Sequence, residues 1–310
     1  MRKMVSILMV LAWTMTAMLA LPAVAEGKKL SVYASFYPMY DFAAKVGGDR
    51  VTVVNMVPAG MEPHDWEPAA PDIVGLENAD VFIYNGAGME HWVDKVLKTL
   101  SNKELAVVNA SEGLTLLEGH HHHGEEEGEE EHEEEEEGFD PHVWLAPLYA
   151  RAQMERIKNA LAAADPGNAA YYEENYVKYA AEFEALDAEF RQALEPLSQK
   201  EIVVSHQAFG YLCAAYGLTQ VSIEGLSPDS EPDPARMAEI IDFVKEHKVS
   251  TIFFEELISP KVAETIAGAT GAVTQVLSPV EGLTDEQAAA GGDYLSVMRQ
   301  NLAALVKALQ

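Results

Sequence analysis

Short β-branched runs alternate with longer amphipathic stretches along most of this chain, a pattern typical of parallel sheets covered by helices. The runs that predict strands fall into two groups of four. The first group covers residues 30–36, 51–57, 81–84 and 105–108, and the second covers 201–205, 220–224, 251–254 and 273–277. Two groups separated by helical sequence predict an α/β fold of two similar four-stranded, mainly parallel lobes rather than one continuous sheet.

One long helix is predicted between the two groups of strands. Residues 168–197 are rich in helix formers, carry Tyr, Phe and Leu at helical spacing, and follow a turn-like Asp165-Pro166-Gly167. At 1.5 Å per residue this helix would be about 40 Å long, so we expect a rigid strut joining the lobes. The predicted organisation is an N-terminal lobe at 26–145, a helical segment at 146–199 and a C-terminal lobe at 200–310.

The first 25 residues have the pattern of a secretory signal. Arg2 and Lys3 precede an apolar run over 4–21, and Ala23-Val24-Ala25 offers small residues at both recognition positions. We expect cleavage after Ala25; the alternative is an uncleaved membrane anchor. The single cysteine, Cys213, excludes an internal disulfide or a thiolate zinc cluster and lies far from the cleavage point. A free periplasmic protein with Cys213 buried is the prediction.

Charge narrows the classes of partner. Fifty acidic residues against 21 basic ones give a formal charge of -29, which argues against nucleic acid and anionic membrane surfaces. Residues 119–138 contain only Gly, Glu and five histidines: His120, His121, His122, His123 and His132. Without an apolar side chain this segment is predicted to be a solvated loop. It is either a set of weak metal sites or an acidic solubilising insertion.

Three of the other five histidines share a sequence context. His64 follows a predicted strand, His206 directly follows another, and His142 comes where the acidic segment ends. Ligand-binding side chains collect beyond the carboxyl ends of parallel strands, so these three are predicted to converge. His91 and His247 are predicted to lie in surface helices beside charged residues and to be solvated.

Five motifs carry a family resemblance: MEPHDWEP at 61–68, YNGAGMEHWVD at 84–94, DPHVWLAP at 140–147, SHQAFGYLCAAYGL at 205–218 and GLSPDSEPDPARMAEI at 225–240. Together they resemble the zinc-binding members of the cluster A-I solute-binding proteins, which deliver metal to ABC importers. The resemblance covers essentially the whole mature chain. It implies two four-stranded α/β lobes joined by one long helix, with the metal in the cleft between them.

Carried over by motif, the resemblance implies His64, His142 and His206 as metal ligands. In the manganese-type relatives the third position is commonly Glu and a late Asp completes the site, whereas here Ser278 stands at the place resembling that Asp. Three imidazoles suit zinc better than manganese, which prefers oxygen ligands. The fourth position is left open between water, Glu62 and Glu255. Trp66 and Trp144 flank the ligand motifs and either shield the site or pack between the lobes.

The expected function is capture of Zn²⁺ by a monomeric, non-enzymatic protein that docks on an inner-membrane ABC permease with its ATPase. A secreted zinc hydrolase is an alternative, because three histidines and an open position are the ligands of catalytic zinc; no HExxH motif supports it. A stand-alone periplasmic metal buffer is the other alternative.

Overall fold

The computed structural model describes residues 28–119, 138–228 and 232–310. The predicted signal and the loop histidines lie outside these ranges. The described chain contains two groups of four strands. The first consists of β1 (Leu30–Ala34), β2 (Val51–Asn55), β3 (Val81–Tyr84) and β4 (Ala106–Asn109). The second consists of β5 (Glu201–Val204), β6 (Thr219–Ser222), β7 (Thr251–Phe254) and β8 (Val273–Val276).

Each group forms its own sheet, and both sheets are parallel throughout. The strand orders are β2-β1-β3-β4 and β6-β5-β7-β8, so the second sheet repeats the topology of the first. The predicted pair of four-stranded α/β lobes is therefore confirmed. The predicted strand limits differ from the observed ones by two residues at most, as for 220–224, where the strand is Thr219–Ser222.

Helices connect and cover the strands. They are α1 (Tyr37–Gly47), α2 (Ala70–Glu77), α3 (Val93–Thr99), α4 (Pro147–Ala164), α5 (Ala169–Leu194), α6 (Gly210–Tyr216), α7 (Pro234–His247), α8 (Lys261–Thr270), α9 (Asp285–Ala289) and α10 (Tyr294–Leu309). Local sequence sets several limits. Proline opens α4 and α7, where its missing N–H is tolerated, and Gly217 ends α6 in a left-handed conformation with φ 67°.

The predicted strut is α5, but it is shorter than 168–197. It spans 26 residues, about 39 Å at 1.5 Å per residue. It ends at Leu194, two residues before Pro196, which has no N–H with which to continue the helical hydrogen bonds. Its buried face carries aromatic residues, as predicted: the Phe183 ring packs against Phe42 of α1 and Tyr294 of α10.

One large apolar core includes side chains from both lobes and from α4, α5 and α10. Trp144, fully buried, ties the two halves together: its indole N–H donates to the carbonyl of Pro279 at 2.7 Å, and its own carbonyl accepts the hydroxyl of Tyr294. Within the described ranges, none of the helices is both long enough and apolar enough to span a bilayer.

Candidate metal centre

His64, His142 and His206 meet between the lobes, which confirms their predicted convergence. His64 lies in the loop after β2, His206 lies two residues after β5, and His142 precedes α4. The Nε2 atom of His142 is 3.3 Å from that of His64 and 3.2 Å from that of His206. Three segments far apart in the chain therefore place imidazole nitrogens around one point.

A fourth side chain, Glu281, completes the cluster. Its Oε1 lies 3.3 Å from Nε2 of His64, 3.3 Å from Nε2 of His142 and 3.7 Å from Nε2 of His206. In a tetrahedral zinc site with metal–ligand distances of about 2.0–2.1 Å, neighbouring ligand atoms lie about 3.3–3.4 Å apart. Four of the five distances given above match this spacing, the distance from Glu281 to His206 is longer, and the four ligand atoms all lie within 4.8 Å of one another.

Neither Glu62 nor Glu255, the carboxylates considered for the fourth position, belongs to the cluster, whereas Glu281 does. Glu255 instead bonds the far side of His206, and Glu62 accepts the backbone N–H of His64 at 2.9 Å. Ser278 has a structural role, since its hydroxyl accepts the N–H of Val280. Glu281 lies three residues beyond Ser278 in the same loop, so a carboxylate late in the chain does reach the cluster.

The loop that carries Glu281 bends sharply just before it. Val280, fully buried, has φ 58°, a left-handed conformation that costs free energy for a β-branched residue. The neighbouring Pro279 is held through its carbonyl by Trp144. This bend directs Glu281 into the cleft. The local sequence contains no pattern that predicts the bend.

Two carboxylates orient the imidazoles from behind. Nδ1 of His142 donates to Asp140 at 2.8 Å, and Nδ1 of His206 donates to Glu255 at 2.5 Å. A carboxylate only accepts, so the proton sits on Nδ1 and the Nε2 lone pair points to the centre. The sheet register explains the second pair: Val203 of β5 is opposite Ile252 of β7, which brings the residues three further along, His206 and Glu255, side by side.

Burial and close contact shift the pKa values of the histidines and carboxylates in and around the cluster. Burial by itself lowers the pKa of His206, but the carboxylates of Glu255 and Glu281 outweigh burial and hold that pKa well above its ordinary value. Burial would raise the pKa of Glu281, but the facing imidazoles hold it well below its usual range. Burial lowers the pKa of His64, and burial with the nearby charge of Glu281 raises the pKa of Glu62 to about 8. A cation at the centre would thus face one carboxylate and three imidazoles.

The remaining sequence predictions have mixed outcomes. His91 and His247 are exposed, as predicted, but His91 lies in the turn before α3 and not in a helix. Cys213 is buried, and burial raises the pKa of its thiol. Trp144 packs against the ring of His142, whereas Trp66 packs edge-on against Trp92.

Two similar α/β lobes joined by one long helix, with a cluster of three imidazoles and one carboxylate enclosed between them, define a solute-binding protein of the cleft type. The family model of the periplasmic component A of the zinc-uptake complex, ZnuA, matches residues 32–308. The chain belongs to this ZnuA family.

The relatives agree with that assignment. The high-affinity zinc uptake system protein ZnuA of Bacillus subtilis is 44% identical over 284 residues, which cover 92% of this chain and 89% of that protein. The zinc-binding lipoprotein AdcA of Streptococcus pneumoniae is 41% identical over 281 residues, 91% of this chain but only 56% of AdcA. The crystal structure of the Zn(II)-bound ZnuA-like domain of AdcA superposes with a TM-score of 0.77 at 40% identity, covering 91% of this chain and 99% of that domain.

Proposed function

We propose that this protein binds one zinc ion between its lobes through His64, His142, His206 and Glu281 and delivers it to an ABC importer. The observation that carries the proposal is that Nε2 of His64, Nε2 of His206 and Oε1 of Glu281 lie 3.2–3.3 Å from Nε2 of His142, the separation of neighbouring ligands in a tetrahedral zinc site. The donor set supports zinc over manganese because three of the four ligand atoms are nitrogens.

The same cluster argues for cargo binding over hydrolysis. Catalytic zinc keeps one position open for water, whereas here Glu281 stands at the fourth position and its side chain is 1% exposed. A hydrolase would also need a general base aimed at a bound water, and both candidate carboxylates, Glu62 and Glu255, bond the ligand histidines instead. Transport of the ion, without chemistry on a substrate, accounts for such an enclosed site.

Handover requires that the enclosed site open. Of the four groups, the His64 side chain is the most exposed, at 7%, whereas His142 and His206 are fully buried. The side of the site formed by the His64 loop is therefore the side closest to solvent, and we infer that zinc enters and leaves past this loop. The acceptor is an inner-membrane permease with its ATPase, and the protein works as a monomer in the periplasm after cleavage at Ala25.

The site is tested by zinc titration in competition with a chelator of known affinity. His64→Ala removes one of four ligands, so we expect the Kd to rise more than about a hundredfold, beyond the effect typical of an outer partner. His247→Ala removes an exposed histidine far from the cluster and should leave the Kd unchanged. Retention of the wild-type Kd by His64→Ala would remove His64 from the site.

Delivery is tested with the importer of the source organism, purified with its ATPase into vesicles. Zinc-loaded wild-type protein should stimulate ATP hydrolysis and zinc uptake. A protein that binds zinc yet never stimulates the importer would favour the stand-alone buffer.

The acidic segment is tested by a separate deletion. Removal of residues 120–137 should lower the number of zinc ions bound per protein while leaving the tightest site. Unchanged stoichiometry would favour the solubilising role.

A further inference from the structure

The motif SHQAFGYL supplies His206 to the cluster, but the adjacent Gly210 and Tyr211, which open α6, have no role in the site described so far. Both contact Asp140, the residue that orients His142. We propose that Gly210 and Tyr211 are positioning residues of the metal centre, holding Asp140 in the one orientation in which it fixes the His142 ring. This inference rests on the proposed zinc-binding function.

Tyr211 holds the backbone of Asp140. Its hydroxyl donates to the carbonyl of Asp140 at 3.0 Å and accepts the N–H of Leu117 at 2.9 Å. The N–H of Asp140 in turn donates to the carbonyl of Leu117 at 2.9 Å. Tyr211 is buried, and burial raises the pKa of its hydroxyl, so the group keeps its proton and remains a donor. Both backbone polar groups of Asp140 are thus tied to one buried assembly.

Gly210 makes room for the carboxylate of Asp140. One oxygen, Oδ1, accepts both the N–H and the Nδ1–H of His142, at 2.9 and 2.8 Å. The other, Oδ2, lies against Gly210, where an added Cβ would come closer than the 3.0 Å that real Cβ contacts keep. Gly210 is not among the residues with positive φ. Space for this carboxylate, and not backbone conformation, is therefore what demands glycine here.

A Cβ at position 210 would overlap Oδ2 of Asp140, and we expect the movement that removes this overlap to change the metal site and not the fold. The obstructing atom is the free end of a short buried side chain, so Asp140 can rotate its carboxylate away while α6 stays in place. Rotation withdraws Oδ1 from His142 and releases the ring. Because α6 begins four residues after His206, the segment from β5 to α6 carries both His206 and the two residues that contact Asp140, the partner of His142.

The test compares two variants of the same helix. Tyr211→Phe removes the hydroxyl that holds Asp140; Tyr216→Phe is the matched control, since it removes a buried hydroxyl that donates to Asp187 outside the cluster, at 3.1 Å. We measure the zinc Kd by chelator competition and the visible absorption of the Co²⁺-loaded protein. Tyr211→Phe should weaken zinc binding about three- to tenfold, the effect of one hydrogen bond, and change the Co²⁺ spectrum. Tyr216→Phe should change neither.

Gly210→Ala provides a second, independent variant. We expect a loss of about 10- to 100-fold in zinc affinity, as for an outer partner, with the thermal midpoint of the metal-free protein little changed. In an Asp140→Ala background the same substitution should have no further effect.

Equal Kd values and spectra for Tyr211→Phe and Tyr216→Phe, or full additivity of Gly210→Ala with Asp140→Ala, would overturn the inference. Failure of the wild-type chain to bind zinc would instead overturn the proposed function.

Discussion

The bond between Glu255 and His206 should govern both the strength and the pH dependence of zinc binding. Glu255 Oε1 accepts from His206 Nδ1 at 2.5 Å, and both side chains are buried. Glu255→Gln preserves the shape but removes the charge. Hydrogen bonds to charged groups contribute about 1.5–3 kcal/mol and neutral ones about 0.5–1.5 kcal/mol. The difference of about 1–1.5 kcal/mol corresponds to about a tenfold rise in Kd at alkaline pH.

At lower pH this difference should shrink. In the wild type the raised pKa of His206 means that a proton must leave before zinc binds, so affinity falls as pH drops, beginning above the ordinary range of histidine. In Glu255→Gln the pKa of His206 moves down toward that range, and protons compete with zinc only at lower pH. As the pH is lowered from 8 to 5, the range in which histidine titrates, the wild type should begin to lose affinity at a higher pH than Glu255→Gln does.

The assay is chelator competition at a series of pH values in that span. Glu256→Gln, a substitution at the next residue of the same loop, whose carboxylate accepts from Gln287 at 3.1 Å, should follow the wild-type curve. If Glu255→Gln shows both the affinity and the pH slope of the wild type, the assigned role of Glu255 is refuted.

Further outcomes follow from the same geometry. Zinc at a hundredfold excess over its Kd should stabilise the protein by about 2.7 kcal/mol, a rise of about 5–10 °C in Tm by calorimetry. His142→Ala should abolish this rise and His91→Ala should not. At one fixed zinc concentration the rise should be larger at pH 8 than at pH 6. The raised pKa of His206 means that protonation stabilises the metal-free fold below the unfolded pKa, and this stabilisation is lost as the pH rises through the folded pKa. Phe183→Ala in α5 should lower the free energy of unfolding by about 3–5 kcal/mol in urea titration, without changing the zinc Kd; a smaller loss would show that α5 packs less tightly than its buried face indicates.

The two sheets, the long helix and the convergence of the three histidines were all predictable from the amino-acid sequence. Strand and helix limits follow from local periodicity and from residues such as Pro196, whose missing N–H acts within a few positions. His64 and His206 were identifiable because each follows a strand of a parallel sheet, and the carboxyl ends of such strands share one edge.

The carboxylates that contact these histidines could be identified only from the folded chain. Glu281 is one acidic residue among 50, and it reaches the centre because the chain turns at Val280 and the two lobes face each other. Glu255 supports His206 because β7 pairs with β5, although β6 lies between them in the chain. Adjacency of this kind depends on strand order and lobe closure, and these long-range contacts leave no periodic signal in the local sequence.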